Sequence, residues 1–261
     1  MCPQGSRCAA TLGYLPKALR ANRIQSENRL RQQNATCGRS SHDGCAAAAK
    51  PLSYVLMQPK FLYFDLGKVL VNFSVERMLQ QMADVAGVAA ERMRDAIFAG
   101  NLLHDHETGR LSSRQFHEAF CAVTCTRPDF DRLIAAAAEI FDLNLPVVPI
   151  VAQLQQAGYP LGILSNTCET HWEYCVRQYR IVSEAFGVYA LSYKIGAVKP
   201  DAAIFRAAAE MAGYRPEEIF FVDDIAGHVA GARAVGIDAV QFTSAESLAS
   251  ELRRRGIRFN Y

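Results

Sequence analysis

Four short stretches place reactive side chains at matching positions. A single carboxylate, Asp65, follows the apolar run FLYF (61–64) in KFLYFDLGKVLVNF. Ser165, Asn166 and Thr167 come at the end of PLGILS (160–165), Lys199 lies in KIGAVKP just after VYALS (188–192), and Asp223-Asp224 follow EIFFV (218–222). A lone aspartate after a strand is ordinarily a turn or a helix cap. Here the same placement recurs at four apolar runs, and the carboxyl ends of strands are where open parallel sheets bind ligands. Brought to one crevice, these groups suit phosphoryl transfer. An aspartate can attack phosphorus to give an aspartyl-phosphate. Carboxylates and backbone carbonyls are the hard oxygen donors that Mg²⁺ prefers. Ser165 and N–H groups at a helix start can hold phosphate oxygens, and Lys199 can neutralise developing charge.

The elements that must position them are legible as an alternation. FLYF, PLGILS, VYALS, EIFFV and DAVQF (238–242) read as strands covered on both faces. CETHWEYCVRQYR, DAAIFRAAAEMAG and IAGHVAGARAVG read as the helices between them, with Gly213 and Gly236 where helices should stop. Such alternation means a Rossmann-like α/β core with an open parallel sheet and right-handed crossovers. The first crossover is far longer than one helix needs. Within it SVERMLQQMADVAG, AAERMRDAIFAG, SSRQFHEAFCAV and RPDFDRLIAAAAEIF each read as amphipathic helices. The expected organisation is therefore a core over 57–73 and 146–261, a helical-bundle cap inserted after the first strand over 74–145, and a separate segment 1–56.

That segment carries eight Lys and Arg against two acids, leaving 20 basic and 24 acidic residues in 57–261. The body is mildly acidic, so global charge gives no ground for a nucleic-acid partner. Residues 1–56 lack sustained periodicity. They read as a disordered tail, as an Arg-rich transit peptide, or as sequence upstream of a start at Met57, the reading that MQPKFLYFDLG favours. No apolar run approaches the ~20 residues a membrane span requires, and no signal-peptide pattern opens the chain. Eight cysteines in a chain this long fit reduced thiols and a cytoplasmic protein. Cys121 and Cys125 read as packing on one helix face, and His104 and His106 in NLLHDHETGR as a loop or cap surface rather than a metal pair.

In this order, FDLGKVL, LSNT, the lysine of KIGAVKPD and FFVDD resemble the four motifs of the haloacid dehalogenase-like hydrolase superfamily. The resemblance spans about residues 59–243. It implies Asp65 as nucleophile, Ser165 with Asn166 as phosphate-binding, and Lys199 as both catalytic and phosphate-binding. Asp65, the carbonyl of Gly67, Asp224 and Asp223 would hold Mg²⁺. The FDLG variant, SNT followed by His171, and SYKIGAVKPDAAIF look similar to the alpha-D-glucose-1-phosphate phosphatase-like group. That similarity implies a small phosphomonoester, such as a sugar phosphate, as the partner, with neither nucleic acid nor membrane.

The departure from the family pattern is Gly67, where most of its phosphatases carry a second aspartate that moves protons. Glycine keeps a carbonyl for the metal but no acid. An anomeric phosphate, a comparatively good leaving group, tolerates that loss best, and His171 is the candidate substitute. Two other readings follow from the same residues: a metal-independent 2-haloacid dehalogenase, against which the Asp223-Asp224 charge argues, and a non-catalytic phosphate-ligand-binding relative.

Overall fold

The computed structural model describes residues 58–260, so the readings of segment 1–56 lie outside the described residues. Five parallel strands form the central sheet: β1 (Phe61–Phe64), β4 (Leu161–Ser165), β5 (Val188–Leu191), β6 (Ile219–Asp223) and β7 (Asp238–Gln241). Their order is β5-β4-β1-β6-β7. β1 is central and all four of its residues are buried. Leu62 and Phe64 enter one core cluster, while Phe61 and Tyr63 enter the other on the opposite face. That two-sided burial is why the strand reads as a continuous apolar run.

The register decides where the chemistry lands. Phe64 pairs with both Ile163 and Val222. One residue further on, Asp65 and Asp223 stand side by side, with the Asp65 N–H donating to the Val222 carbonyl at 2.9 Å. Ser165 comes two residues past Ile163 on the other flank. β4 and β5 lie on one side of β1 and β6 and β7 on the other, a switch point that opens a crevice beyond the strand ends.

Packing around β1 is close enough to dictate a glycine. A Cβ on Gly162 would meet Tyr63 Cε1 at 2.5 Å and Phe61 Cε1 at 2.8 Å. The Tyr63 hydroxyl is buried but donates to the Ala208 carbonyl at 2.8 Å, so the ring enters the core without an unpaired polar group.

Between β1 and β4 the chain builds the helical insertion. It leaves through β2 (Val71–Phe73) and returns through β3 (Phe141–Leu143), which pair antiparallel with Phe73 opposite Phe141. This two-stranded stem is absent from the pattern of apolar runs. The insertion contains α1 (Val75–Ala86), α2 (Ala90–Arg94) running into a π-turn over Asp95–Ala99, α3 (Leu102–Glu107), α4 (Ser113–Thr124) and α5 (Phe130–Ala138). Three of these helices, α1, α4 and α5, start with a side-chain cap. Ser74 accepts from the Arg77 N–H, Asp129 accepts from Arg132, and Ser112 with Gln115 closes a capping box. Of the loop or cap surface expected at NLLHDHETGR, α3 replaces the loop: His104 is exposed on this helix of the insertion and His106 is buried.

α6 (Val148–Gln156) leads back to the sheet, and α7 (Glu169–Gln178) and α8 (Arg180–Glu184) follow β4. A single turn, α9 (Ser192–Ile195), then precedes α10 (Ala202–Ala212), α11 (Ala226–Ala234) and α12 (Ala245–Arg254). Gly213 closes α10 with φ 73°, and Gly236 takes φ 95° after α11. Cys121 is half-buried, but Cys125 is exposed just beyond α4, so only the first shares in packing. Among the described residues no helix is long and apolar enough to cross a membrane.

Candidate active site

The centre of the site is the side chain of Lys199, which is fully buried. Its Nζ lies 2.9 Å from Asp65 Oδ1 and 2.6 Å from Asp223 Oδ2, and donates to the Leu164 carbonyl at 3.0 Å. All three donors of the ammonium are thereby used. Asp65 Oδ1 also accepts from the Leu66 N–H at 2.7 Å. Burial raises the Asp65 pKa above the usual carboxylate range, with Lys199 opposing the rise and Asp223 adding to it. Burial pushes Asp223 the same way, but hydrogen bonds from His228, Lys199 and the Ile225 N–H outweigh it and hold its pKa low.

His228 is a site neighbour that sequence reading passes over, because HVAG reads simply as the start of a helix. Its Nδ1 stands 3.1 Å from both oxygens of Asp223. Ligand atoms of Asp65, Asp223 and His228 all lie within 4.8 Å of one another. Asp224 sits at the edge of this group. It is half-buried, its backbone carbonyl accepts from Gln241 Nε2, and burial followed by the charge of Asp223 raises its pKa.

This donor set fits a divalent cation. Two buried carboxylates, Asp65 and Asp223, share one ammonium where uncompensated negative charge is costly, and Asp224 follows next in the chain. Oxygen donors predominate, as Mg²⁺ requires, and the Gly67 carbonyl is in the adjoining loop.

The Asn166 side chain is tied to the backbone of Lys199. Its Nδ2 donates to the Lys199 carbonyl at 3.0 Å, and its Oδ1 accepts from the Lys199 N–H at 2.7 Å. This reciprocal pair clamps the loop that carries Lys199, and Asn166 also lines the adjoining cleft. Ser165 is buried, and its hydroxyl has only a long 3.4 Å contact with the Asn166 carbonyl. It is free to turn toward a ligand.

Beside Ser165 and Asn166 lies a cleft of ≈ 490 Å³ counting its mouth, bounded by Gly67, Phe73, Phe141, Glu107 and His171 among others. Core and insertion both contribute walls. Ser192 fixes them together: its Oγ accepts from the Thr167 N–H at 2.9 Å, and its proton is shared between the carbonyls of Glu107 (2.7 Å) and Thr167 (2.9 Å). Gly109 packs so tightly on the Tyr193 carbonyl that a Cβ would come within 2.1 Å of its oxygen.

His171 lines the cleft but is a poor acid. Its Nε2 donates to the Ala137 carbonyl at 3.2 Å. Burial, reinforced by His106, pushes its pKa down to about 4. A neutral ring whose one N–H is committed has no proton to release near neutrality, so the expected substitution of His171 for the missing aspartate is not supported. His106 is no metal partner for His104. It bonds the Leu111 carbonyl and Thr170 Oγ1 instead, while His104 is exposed.

The haloacid dehalogenase-like hydrolase family model matches residues 60–236. The chain belongs to this family. Phosphatase MT3486 of Mycobacterium tuberculosis is 32% identical over 91 residues, 35% of this chain and 42% of that protein. A glyceraldehyde 3-phosphate phosphatase of Methanopyrus kandleri is 32% identical over 97 residues, 36% of this chain and 41% of that protein. The matches thus span about two fifths of the curated relatives. Among solved structures, the HAD family enzyme bt-2542 of Bacteroides thetaiotaomicron, in complex with magnesium and inorganic phosphate, has a TM-score of 0.64 at 24% identity. It covers 71% of this chain and 95% of its own. A HAD-like family hydrolase of Porphyromonas gingivalis has a TM-score of 0.65 at 21% identity over 76% of this chain and 97% of its own. At these identities the likeness is one of fold. The chain is therefore a HAD-like hydrolase, with the α/β fold and helical insertion expected of it.

Proposed function

We propose that this hydrolase is a Mg²⁺-dependent phosphatase that cleaves small phosphomonoesters through an aspartyl-phosphate on Asp65. The observation that carries the reading is the buried bridge Asp65–Lys199–Asp223 beside Ser165. Asp65 Oδ1 is held by Leu66 and Lys199, which leaves Oδ2 as the atom that attacks phosphorus. Negative charge passes onto the phosphoryl oxygens as the bond forms. The Ser165 hydroxyl and the backbone N–H groups after β4 then supply donors for those oxygens. Asp65, Asp223, Asp224 and the Gly67 carbonyl would hold Mg²⁺, which would supply positive charge against the carboxylates and the phosphate. Asn166 keeps Lys199 in register with both aspartates.

The cleft lies between the core and the insertion. Phe73 and Phe141, 6.0 Å apart between ring centres, offer an apolar wall. A sugar phosphate, whose ring presents C–H faces to such a wall and hydroxyls to its rim, fits this description. A metal-free halide site would have no use for the carboxylate charge around Lys199, which disfavours dehalogenase chemistry.

The test is phosphate release from a panel of phosphomonoesters with Mg²⁺ and after chelation. Release that chelation abolishes and Mg²⁺ restores supports the reading. Halide release from a 2-haloacid that is insensitive to chelation would replace it.

A further inference from the structure

In-line attack by Asp65 expels the ester oxygen on the far side of phosphorus, toward the cleft, and an alkoxide leaves slowly unless it is protonated. Position 67, a glycine, offers no proton. Two titratable side chains bound the cleft, His171 and Glu107. The N–H of His171 is committed to Ala137. Glu107 remains.

We infer that Glu107 is the catalytic acid and base of this hydrolase, acting from the insertion in place of a side chain at position 67. The inference rests on the phosphatase reading above and adds the group that moves the proton.

The geometry favours it in three ways. Glu107 is the last residue of α3 and lines the same cleft as Gly67 and Ser165. Its backbone is anchored to the core: Ser192 Oγ binds the Glu107 carbonyl and the Thr167 N–H, so the side chain projects from a point tied to the loop after β4. No hydrogen bond or ion pair engages its carboxyl among the described residues, in contrast to Glu169, which accepts from the Ser113 hydroxyl. The titratable neighbours facing it from the start of α7 are Cys168 and His171, and neither carries a positive charge that would hold the carboxyl ionised. Burial then pushes its pKa up to about 7, where both protonation states are populated near neutrality.

The steps balance. As the Asp65 Oδ2–phosphorus bond forms and the ester P–O bond breaks, the Glu107 carboxylic acid gives its proton to the departing oxygen and the alcohol leaves. Water enters the vacated place. The Glu107 carboxylate takes one of its protons while the oxygen attacks phosphorus, the Asp65–phosphorus bond breaks, and inorganic phosphate is released. Asp65 is free again and Glu107 is again protonated.

The experiment compares the wild type with Glu107→Gln on monoesters of increasing leaving-group basicity, from p-nitrophenyl phosphate to a simple alkyl phosphate. A good phenolate leaves without a proton and an alkoxide does not. Glutamine keeps the size and hydrogen-bonding capacity of the side chain but cannot supply the proton. Hydrolysis of the aspartyl-phosphate is common to both esters and also uses Glu107, so the comparison is made on kcat/KM, which reports the leaving-group step. The expected result is a fall on the order of 10²-fold for the alkyl ester, much larger than the fall for the p-nitrophenyl ester. Melting at pH 8 should be no lower than for the wild type, because the variant removes a buried charge.

Equal losses of kcat/KM on both esters, or a loss confined to KM, would make Glu107 a binding or structural residue and overturn the inference. No loss on either would do the same. In both cases turnover by the wild type would leave the phosphatase reading standing. Failure of the wild type to cleave any ester with Mg²⁺ would remove that reading, and this inference with it.

Discussion

The ring of Phe73 occupies the space that a side chain at position 67 would need. A Cβ on Gly67 would lie 2.9 Å from Phe73 Cε1. The ring is held on its other sides by Phe141, at 6.0 Å between centres, and by Lys68, whose Nζ sits 4.6 Å from the ring centre and donates to the Phe73 carbonyl. Lys68 reaches this position with φ 58°, a left-handed turn that follows directly from the loop. The glycine is therefore built into the local packing.

Gly67→Asp should consequently fail to improve turnover. The carboxylate would displace Phe73 from the stem, and overpacking of this kind costs about 1–3 kcal/mol. Urea unfolding should show that loss, and the double variant with Phe73→Ala should recover part of it. A single variant with wild-type stability and faster alkyl-ester cleavage would show that the space is available after all.

Lys199→Met should be severe without divalent cations. It leaves Asp65 and Asp223 buried without their shared counter-charge, a change worth about 3–5 kcal/mol in comparable buried pairs. Added Mg²⁺ should restore stability but not turnover. Unfolding midpoints with and without Mg²⁺ measure the first effect and phosphate release the second.

Asn166→Ala removes both hydrogen bonds to the Lys199 backbone, each worth about 1 kcal/mol. If the amide positions the lysine, kcat should fall by roughly tenfold or more with little change in the affinity for inorganic phosphate. A large loss of phosphate affinity with kcat preserved would return Asn166 to phosphate binding.

The strand ends were legible in the sequence for a physical reason. β1, β4 and β6 are covered on both faces, so they appear as unbroken apolar runs, and parallel register then aligns the residues that follow them. The β2–β3 stem was not, because it consists of two three-residue strands, VNF and FDL, paired across a long sequence separation. α3 is only six residues long and carries too few turns to display periodicity, so Glu107 was hidden in a stretch whose two histidines attracted the attention. His228 looks like any residue in a helical first turn until Asp223 is seen beside it. The part played by Asn166 depends on a loop 33 residues away, and no local pattern encodes that.

His171 should impart a pH dependence of known sign to stability. Its folded pKa is about 4 against an ordinary 6.5. Above 6.5 neither state holds the extra proton, and its contribution is fully present. As pH falls from 6.5 toward 4, only the unfolded chain takes up the proton and stability declines, by about 2–3 kcal/mol for this group. His171→Gln should flatten that part of the profile of unfolding free energy against pH. An unchanged slope would mean that another group carries it.

The central claim is that Asp65 attacks phosphorus, and Asp65→Asn tests it most directly because the amide preserves shape while removing the nucleophile. Phosphate release from p-nitrophenyl phosphate should be measured with Mg²⁺ on folded wild-type protein and folded variant side by side. The account predicts turnover by the wild type and none above background by the variant. Equal release by both would contradict it.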